Sequence, residues 1–212
     1  MVDLAKVLAE WDDWLEEAAP GELEALNEPA SADAIARLNE AYCGRVPGDV
    51  VTLFAWHNGG EIPDPWWELS DIDDVIRIKE LHASMPDLHE RANWWSDNWI
   101  PIGADFDGNH LCVDLDGCLG GVPGQVLVYM HDDSERTIVA PSLGAYLEAL
   151  LRACRDEVLV YHEEEGFRLT TTRMPGTAFC QLMWSAIRGR KGRMSRRYGS
   201  WSPVRRWIGE IY

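Results

Sequence analysis

The chain has 212 residues, 46% of them apolar, with 11 Trp, enough to bury a substantial core without staples. It lacks a run of about 18 apolar residues, and its first residues, MVDLAKVLAEWDDWLEE, carry Asp and Glu where a signal peptide needs a basic flank; a cytoplasmic protein without membrane association is expected. The net charge of −17 conceals two unlike parts: residues 1–180 hold 35 Asp/Glu against 11 Lys/Arg, net −24, while residues 181–212 hold eight Arg/Lys against Glu210 alone, net +7.

Residues 2–18 place Leu4, Val7, Leu8, Trp11, Trp14 and Leu15 at helical spacing, with Asp12, Asp13, Glu16 and Glu17 opposite, an amphipathic helix with an acidic outer face. PGELEALNEPA interrupts it. Ser31 then caps a second helix through Ile35, Leu38 and Tyr42, and Pro47 opens a third over Asp49–His57, stopped by Asn58-Gly59-Gly60. After the Trp-rich loop EIPDPWWEL, Ser70 and Asp73 read as a capping-box variant for a helix through Ile72, Ile76 and Leu81, ended or kinked at Pro86.

The period then changes. Trp99–Gly103, His110–Leu115 and Gln125–His131 are short β-rich runs separated by DFDGN, DLDG and GGVPG, which predicts antiparallel strands joined by tight turns. From Ser142 a helical stripe returns through Leu143, Tyr146, Leu147, Leu150, Leu151, Cys154, Val158 and Tyr161, and is expected to cover one face of the sheet. GFRLTTTR reads as a strand, Gln181–Arg188 as a short helix, and GRKGRMSRRYGS as a linker.

Signals for chemistry are weak. Asp105, Asp107 and Asn109 alternate as a calcium loop does, but His110 stands where such a loop needs Gly and Asp116 where it needs a bidentate Glu, so an Asp-Gly hairpin is the simpler reading. The six His form no metal-ligand spacing, and His82 and His89, seven apart, have Pro86 between them. Five Cys (Cys43, Cys112, Cys118, Cys154, Cys180) include no C-x-x-C pair, so neither a disulfide framework nor a zinc site is indicated. Hydrolase, P-loop and dinucleotide motifs do not occur. No cofactor, no metal and no catalytic residues are expected, and the chain reads as a non-enzyme.

Two features fit protein binding instead. The acidic body repels nucleic acid and attracts a basic partner, the alternative being that the charge only maintains solubility. Trp66, Trp67, Trp94, Trp95 and Trp99 serve either as core edges or as binding anchors, and NWWSDNW is too polar for all of its indoles to face inward. The basic tail Arg188–Arg206, with Tyr198, Trp201 and Trp207, mixes cations and aromatics as nucleic-acid contacts do. Docking on an acidic body, its own or a neighbour's, is the favoured use.

Three runs in order carry a family likeness. ALNEPASADAIARLNEAYCGRVPGDVVTLFAWHNGG is similar to an entry segment with a helix after Pro-Ala-Ser, a helix after Val-Pro-x-Asp and a closing Asn-Gly-Gly; WIPIGADFDGNHLCVDLDG resembles a central pair of strands; VAPSLGAYLEALL resembles a closing helix. Over about residues 25–155 the chain resembles the SMI1/KNR4 (SUKH) family. The resemblance implies an α+β fold, N-terminal helices and a long later helix packed on a mainly antiparallel sheet. It also implies, as for many bacterial members, an immunity protein that blocks a cognate toxin, often a nuclease; fungal relatives are regulatory hubs in cell-wall synthesis.

The expectation is therefore a family-like domain over residues 1–165 and a C-terminal extension over 166–212. Its partner is a toxin with a basic surface, and an intracellular scaffold is the alternative. Candidate contacts are Asp71, Asp73 and Asp74 on the helix after the Trp loop, Asp105 and Asp107 in the hairpin turn, Asp132, Asp133 and Glu135 after the third strand, and Trp66, Trp67, Trp94 and Trp95.

Overall fold

A computed structural model of the chain describes residues 2–61, 64, 66–85, 94–105, 107–134, 136–162 and 166–170. The chain divides into units at 1–173 and 174–212, and all described residues fall in the first. The basic tail, Cys180, Pro86, His89 and Glu135 lie outside the described residues.

Helix α1, Leu4–Ala18, buries Leu4, Val7, Leu8, Trp11 and Leu15, with Asp3 accepting the Lys6 amide at its start. Burying an indole of about 200 Å² stabilises by roughly 5 kcal/mol relative to leaving it in water. The expected interruption after α1 is itself helical: α2 spans Pro20–Ala25, with Pro20 in its first turn, where proline's missing N–H costs nothing. Ser31 caps α3, Ala32–Ala41, as its sequence indicates. Helix α4, Gly48–Trp56, ends before the glycines expected to stop it. Those glycines serve a close approach instead. Gly60, at φ +110, bridges Leu26 on one side and Leu69 on the other, and a Cβ there would lie 2.7 Å from the Ala25 carbonyl.

Strand β1 is Glu68–Leu69. The cap of α5, Ile72–Ala83, is Asp71, whose carboxylate accepts the Asp74 amide at 2.7 Å. Ser70, expected to cap it, is buried and instead joins the sheet through its amide, bonded to the Ile102 carbonyl.

Four more strands complete an antiparallel sheet in sequential order: β2 Trp99–Ala104, β3 His110–Asp114, β4 Gln125–Tyr129 and β5 Thr137–Ala140. Every residue of β3 and β4 is buried, so both faces are covered. On one face Trp99, Cys112, Leu127 and Tyr129 pack with Ile78 of α5 and with Trp95. The other face carries Ile100, Leu111, Val113, Val126 and Val128.

Helix α6, Leu143–Arg155, starts at the Ser142 cap, packs against β4 and β5, and is tied to α1 by the Trp11 indole N–H on the Leu147 carbonyl at 3.1 Å. Its expected continuation through Val158 and Tyr161 is not helical. Glu157 adopts φ +55, and Leu159–His162 forms β6, paired antiparallel with β7, Gly166–Leu169. Among the described residues there are six helices and seven strands, an α+β fold with helices on an antiparallel sheet.

Candidate functional site

Antiparallel register determines which loops meet. Glu68 pairs with Ala104, His110 with Tyr129 and Val128 with Thr137, so the start of β1, the β2–β3 turn and the β4–β5 connection share one end of the sheet. Three strand spacings separate β1 from β4, about 14 Å.

The β2–β3 turn is built by Asp105. One carboxylate oxygen accepts the Asp107 and Asn109 amides, both at 2.9 Å, and the other accepts the Asn109 side-chain amide at 2.7 Å. Asp107 is left exposed at the tip. Asn109, wholly buried, extends the network: its Oδ1 accepts the His131 amide at 2.9 Å and lies 3.0 Å from His131 Nδ1. Asp132 and Asp133 follow directly, so the fold brings these two sequence-predicted acidic pairs together. The Asp-x-Asp-x-Asn alternation is accounted for by the turn's own hydrogen bonds.

Charge accumulates further at the β1 edge. Glu61, beside the Gly60 bridge, lies close enough to act on both Glu22 of α2 and Glu68 of β1. Partial burial, then the Glu61 charge, raises the carboxyls of Glu22 and Glu68 above the usual glutamate value. No spacing in the sequence announces this group, which comes from three separate segments.

The indoles divide. Trp66 and Trp94 are half-buried at this end of the sheet, whereas Trp67 and Trp95 are buried at 4% and 6% exposure. Trp67 packs over Gly103, where a Cβ would approach its own Cβ to 3.2 Å, and Trp95 stacks on His82 at 4.0 Å. Trp66 is held by its amide on the buried Asp64 carboxylate, which also accepts the Tyr146 hydroxyl. Trp94 is held through its carbonyl by Arg136, whose guanidinium also donates to the Asp133 carbonyl and lies 4.5 Å from the Tyr129 ring centre. Desolvation lowers the Arg136 pKa from the ordinary arginine value. Arg136 thus fastens the Trp94 and Asp133 segments to one aromatic base. Sequence reading did not single it out.

Asp71, Asp73 and Asp74 stand elsewhere, at the start of α5. Asp71 is its cap, Asp73 pairs with Arg37, and Asp74 takes Arg77 Nε at 3.0 Å and Nη2 at 2.7 Å. Their charge is largely answered within the molecule.

Among the described residues no three His, Cys, Asp or Glu side chains are grouped so as to hold a metal ion. Burial raises the Cys118 and Cys154 thiols to about 12 and Cys112 higher still, so none of these is a thiolate nucleophile at neutral pH. What the sheet end presents is concentrated negative charge flanked by two indole edges.

The SMI1 / KNR4 family (SUKH-1) model matches residues 29–149, more than half of the chain. The chain belongs to the SMI1/KNR4 family. The matched interval holds α3, α4, α5, the five-stranded sheet and the first half of α6, while α1, α2 and the β6–β7 hairpin lie outside it. Over 76 residues the chain is also 30% identical to the "Cell wall biosynthesis/cell cycle regulator smi1" of Schizosaccharomyces pombe; the alignment takes in 36% of this chain and 15% of that protein. None of the helices among the described residues is long and apolar enough to cross a membrane.

Proposed function

We propose that the chain is a non-catalytic protein-binding protein of immunity type, which neutralises a toxin by occupying its basic surface with the acidic end of the sheet. The observation that carries this reading is the convergence of Glu68, Asp105, Asp107, Asp132 and Asp133 on that end, beside half-buried Trp66 and Trp94. A toxin that grips nucleic acid presents a basic cleft, and a fixed array of carboxylates substitutes for the phosphates. Trp66 and Trp94 supply apolar contact that slows dissociation.

Tagged full-length protein is used to capture partners from the source organism, and the recovered protein is co-produced with the chain in a sensitive host. Protection from killing, lost when Asp132 and Asp133 are both changed to Lys, is the expected result. Recovery of a metabolic enzyme in place of a toxin, or a toxin whose killing the chain leaves untouched, contradicts the reading.

The match to a cell-wall and cell-cycle regulator supports a second reading, a regulatory module that docks an endogenous basic protein by the same acidic surface. It predicts a captured partner that is not toxic when produced alone.

A further inference from the structure

The connection between β3 and β4, residues 115–124, is far longer than a two-residue hairpin needs, and it is rigidly built. It lies at the opposite end of the sheet from the acidic loops. Two turns follow one another. In Cys118–Gly121 the Gly121 amide donates to the Cys118 carbonyl at 3.1 Å, with φ +59 at Leu119 and φ +75 at Gly120, the signs of a type I′ turn. In Val122–Gln125 the Gln125 amide donates to the Val122 carbonyl at 3.1 Å, with Pro123 and then Gly124 at φ +88, as in a type II turn.

Two buried polar side chains hold this pair of turns from beneath. The Asp114 carboxylate accepts the Asp116 amide, the Cys118 amide and Gln125 Nε2 at 2.7–3.0 Å, and Gln125 Oε1 accepts the Val122 amide at 3.1 Å. A Cβ on Gly121 would meet Gln125 Oε1 at 1.6 Å, and one on Gly117 would meet the Val122 carbonyl carbon at 2.6 Å. Positions 117 and 121 thus take no side chain, and the hydrogen bonds from Asp114 and Gln125 restrain the loop, which lessens the conformational freedom lost on binding.

On this frame the exposed residues include two large apolar ones as well as Asp116, which pairs with Arg45 at 2.7 Å. Leu119 and Val122 are 43% and 52% exposed. Leu119 occupies the first central position of the I′ turn, where Asn, Asp or Gly is unstrained and leucine is not. Local folding asks for a different residue at that position, and leucine keeps 43% of its surface in solvent there. A strained, solvent-facing apolar side chain on a preorganised loop is the arrangement of a binding anchor.

We propose that residues 115–124 form a second docking surface, in which Leu119 and Val122 insert into an apolar pocket of a heterologous, net-cationic partner protein. At the base of the loop Leu115 donates its amide to the Asn98 carbonyl and Asn98 Nδ2 donates to Asp116 at 2.7 Å; the Asp116 charge is answered by Arg45, also at 2.7 Å, while Asp97 is exposed. The chain's net charge of −17 favours a net-cationic partner and opposes a second copy of the chain. The surface is independent of the acidic sheet end.

The test places a benzoylphenylalanine photocrosslinker at position 119 of the full chain in its source cells, with the same group at the exposed Glu16 as control. The protein crosslinked at 119 is then produced pure and titrated. Leu119→Gly is expected to raise the urea midpoint of the chain, because the strain is relieved, while weakening that partner's affinity about tenfold or more, the loss of one buried leucine. Val122→Ser weakens the affinity without the gain in stability. Four results overturn the proposal: a crosslink to a second copy, no crosslink beyond the Glu16 control, affinity unchanged by Leu119→Gly and Val122→Ser, or a urea midpoint that falls in Leu119→Gly. A partner that still needs Asp132 and Asp133 but ignores the loop variants overturns this inference alone and leaves the acidic surface standing.

Discussion

Asn109 joins the two acidic turns: its side-chain oxygen takes the His131 amide at 2.9 Å while its own amide groups are held by Asp105. Replacing Asn109 by Ala removes that bridge and leaves the His131 amide without its acceptor, for a loss of roughly 2 kcal/mol. Asp107→Asn, at the exposed tip, is expected to stay within about 0.5 kcal/mol of the parent. Urea unfolding of both variants checks the contrast; equal losses contradict the bridging role.

His110 makes stability depend on pH. Burial, and then the neighbouring His82, lowers its pKa from 6.5 to about 4, outweighing the Asp105 carboxylate and the Gly103 carbonyl, which favour the charged ring. The unfolded chain therefore takes up a proton that the folded chain refuses. The contribution is complete above about pH 6.5 and is lost as pH falls toward about 4, by up to roughly 3 kcal/mol. His110→Phe keeps an aromatic ring stacked on Tyr129 and removes the titration. The expected result is a shallower fall in urea midpoint between about pH 7 and pH 4.5 than in the parent; parallel curves refute this role for His110.

The Glu22, Glu61 and Glu68 group runs the other way. Burial and the Glu61 charge hold Glu22 and Glu68 above the ordinary carboxyl value, so their unfavourable contribution is present at neutral pH and fades as pH falls through the carboxylate range. Glu61→Gln is expected to stabilise the chain by about 0.3 kcal/mol at neutral pH after screening, and by nothing near pH 4. If the surface serves binding, the same change slows association with the basic partner.

Trp66 and Trp94 are half-buried at the acidic end, and Trp67 and Trp95 are core. Trp66→Ala or Trp94→Ala is expected to speed dissociation of the partner about tenfold at every salt concentration, with a modest effect on folding. Trp67→Ala and Trp95→Ala cost about 3–5 kcal/mol of stability instead. Surface plasmon resonance beside urea unfolding separates the two pairs.

Much of the fold was legible where local signals agree. Ser31 caps its helix as read, the helix expected from Ser142 starts there, and the short β-rich runs around His110 and Gln125 are strands. Short elements were not legible: β1 has two residues and β5 four, and both exist because neighbouring strands provide their hydrogen bonds. Val158 and Tyr161 continue a helical spacing, but they sit in a four-residue β-rich run, and Glu157 turns the chain out of the helix first. At the candidate surface, Asp105, Asp107, Asp132 and Asp133 could be named from their turns. Glu22, Glu61 and Glu68 meet only through tertiary pairing about Gly60, and Arg136 gains its role only from the rings and carbonyls packed around it.

The association rate constant with the purified basic partner, measured by stopped flow from about 0.05 to 0.5 M salt, tests the central claim most directly. The screening length falls from roughly 8 Å at 0.15 M to 3 Å at 1 M, so a chain that docks through its acidic sheet end is expected to associate at least tenfold more slowly at the top of that range while its dissociation rate changes little. Asp132→Lys with Asp133→Lys should lower the low-salt rate and flatten its salt dependence. An association rate that stays level across that range, in the parent and the double variant alike, contradicts the account and leaves the acidic surface with no part in recognition.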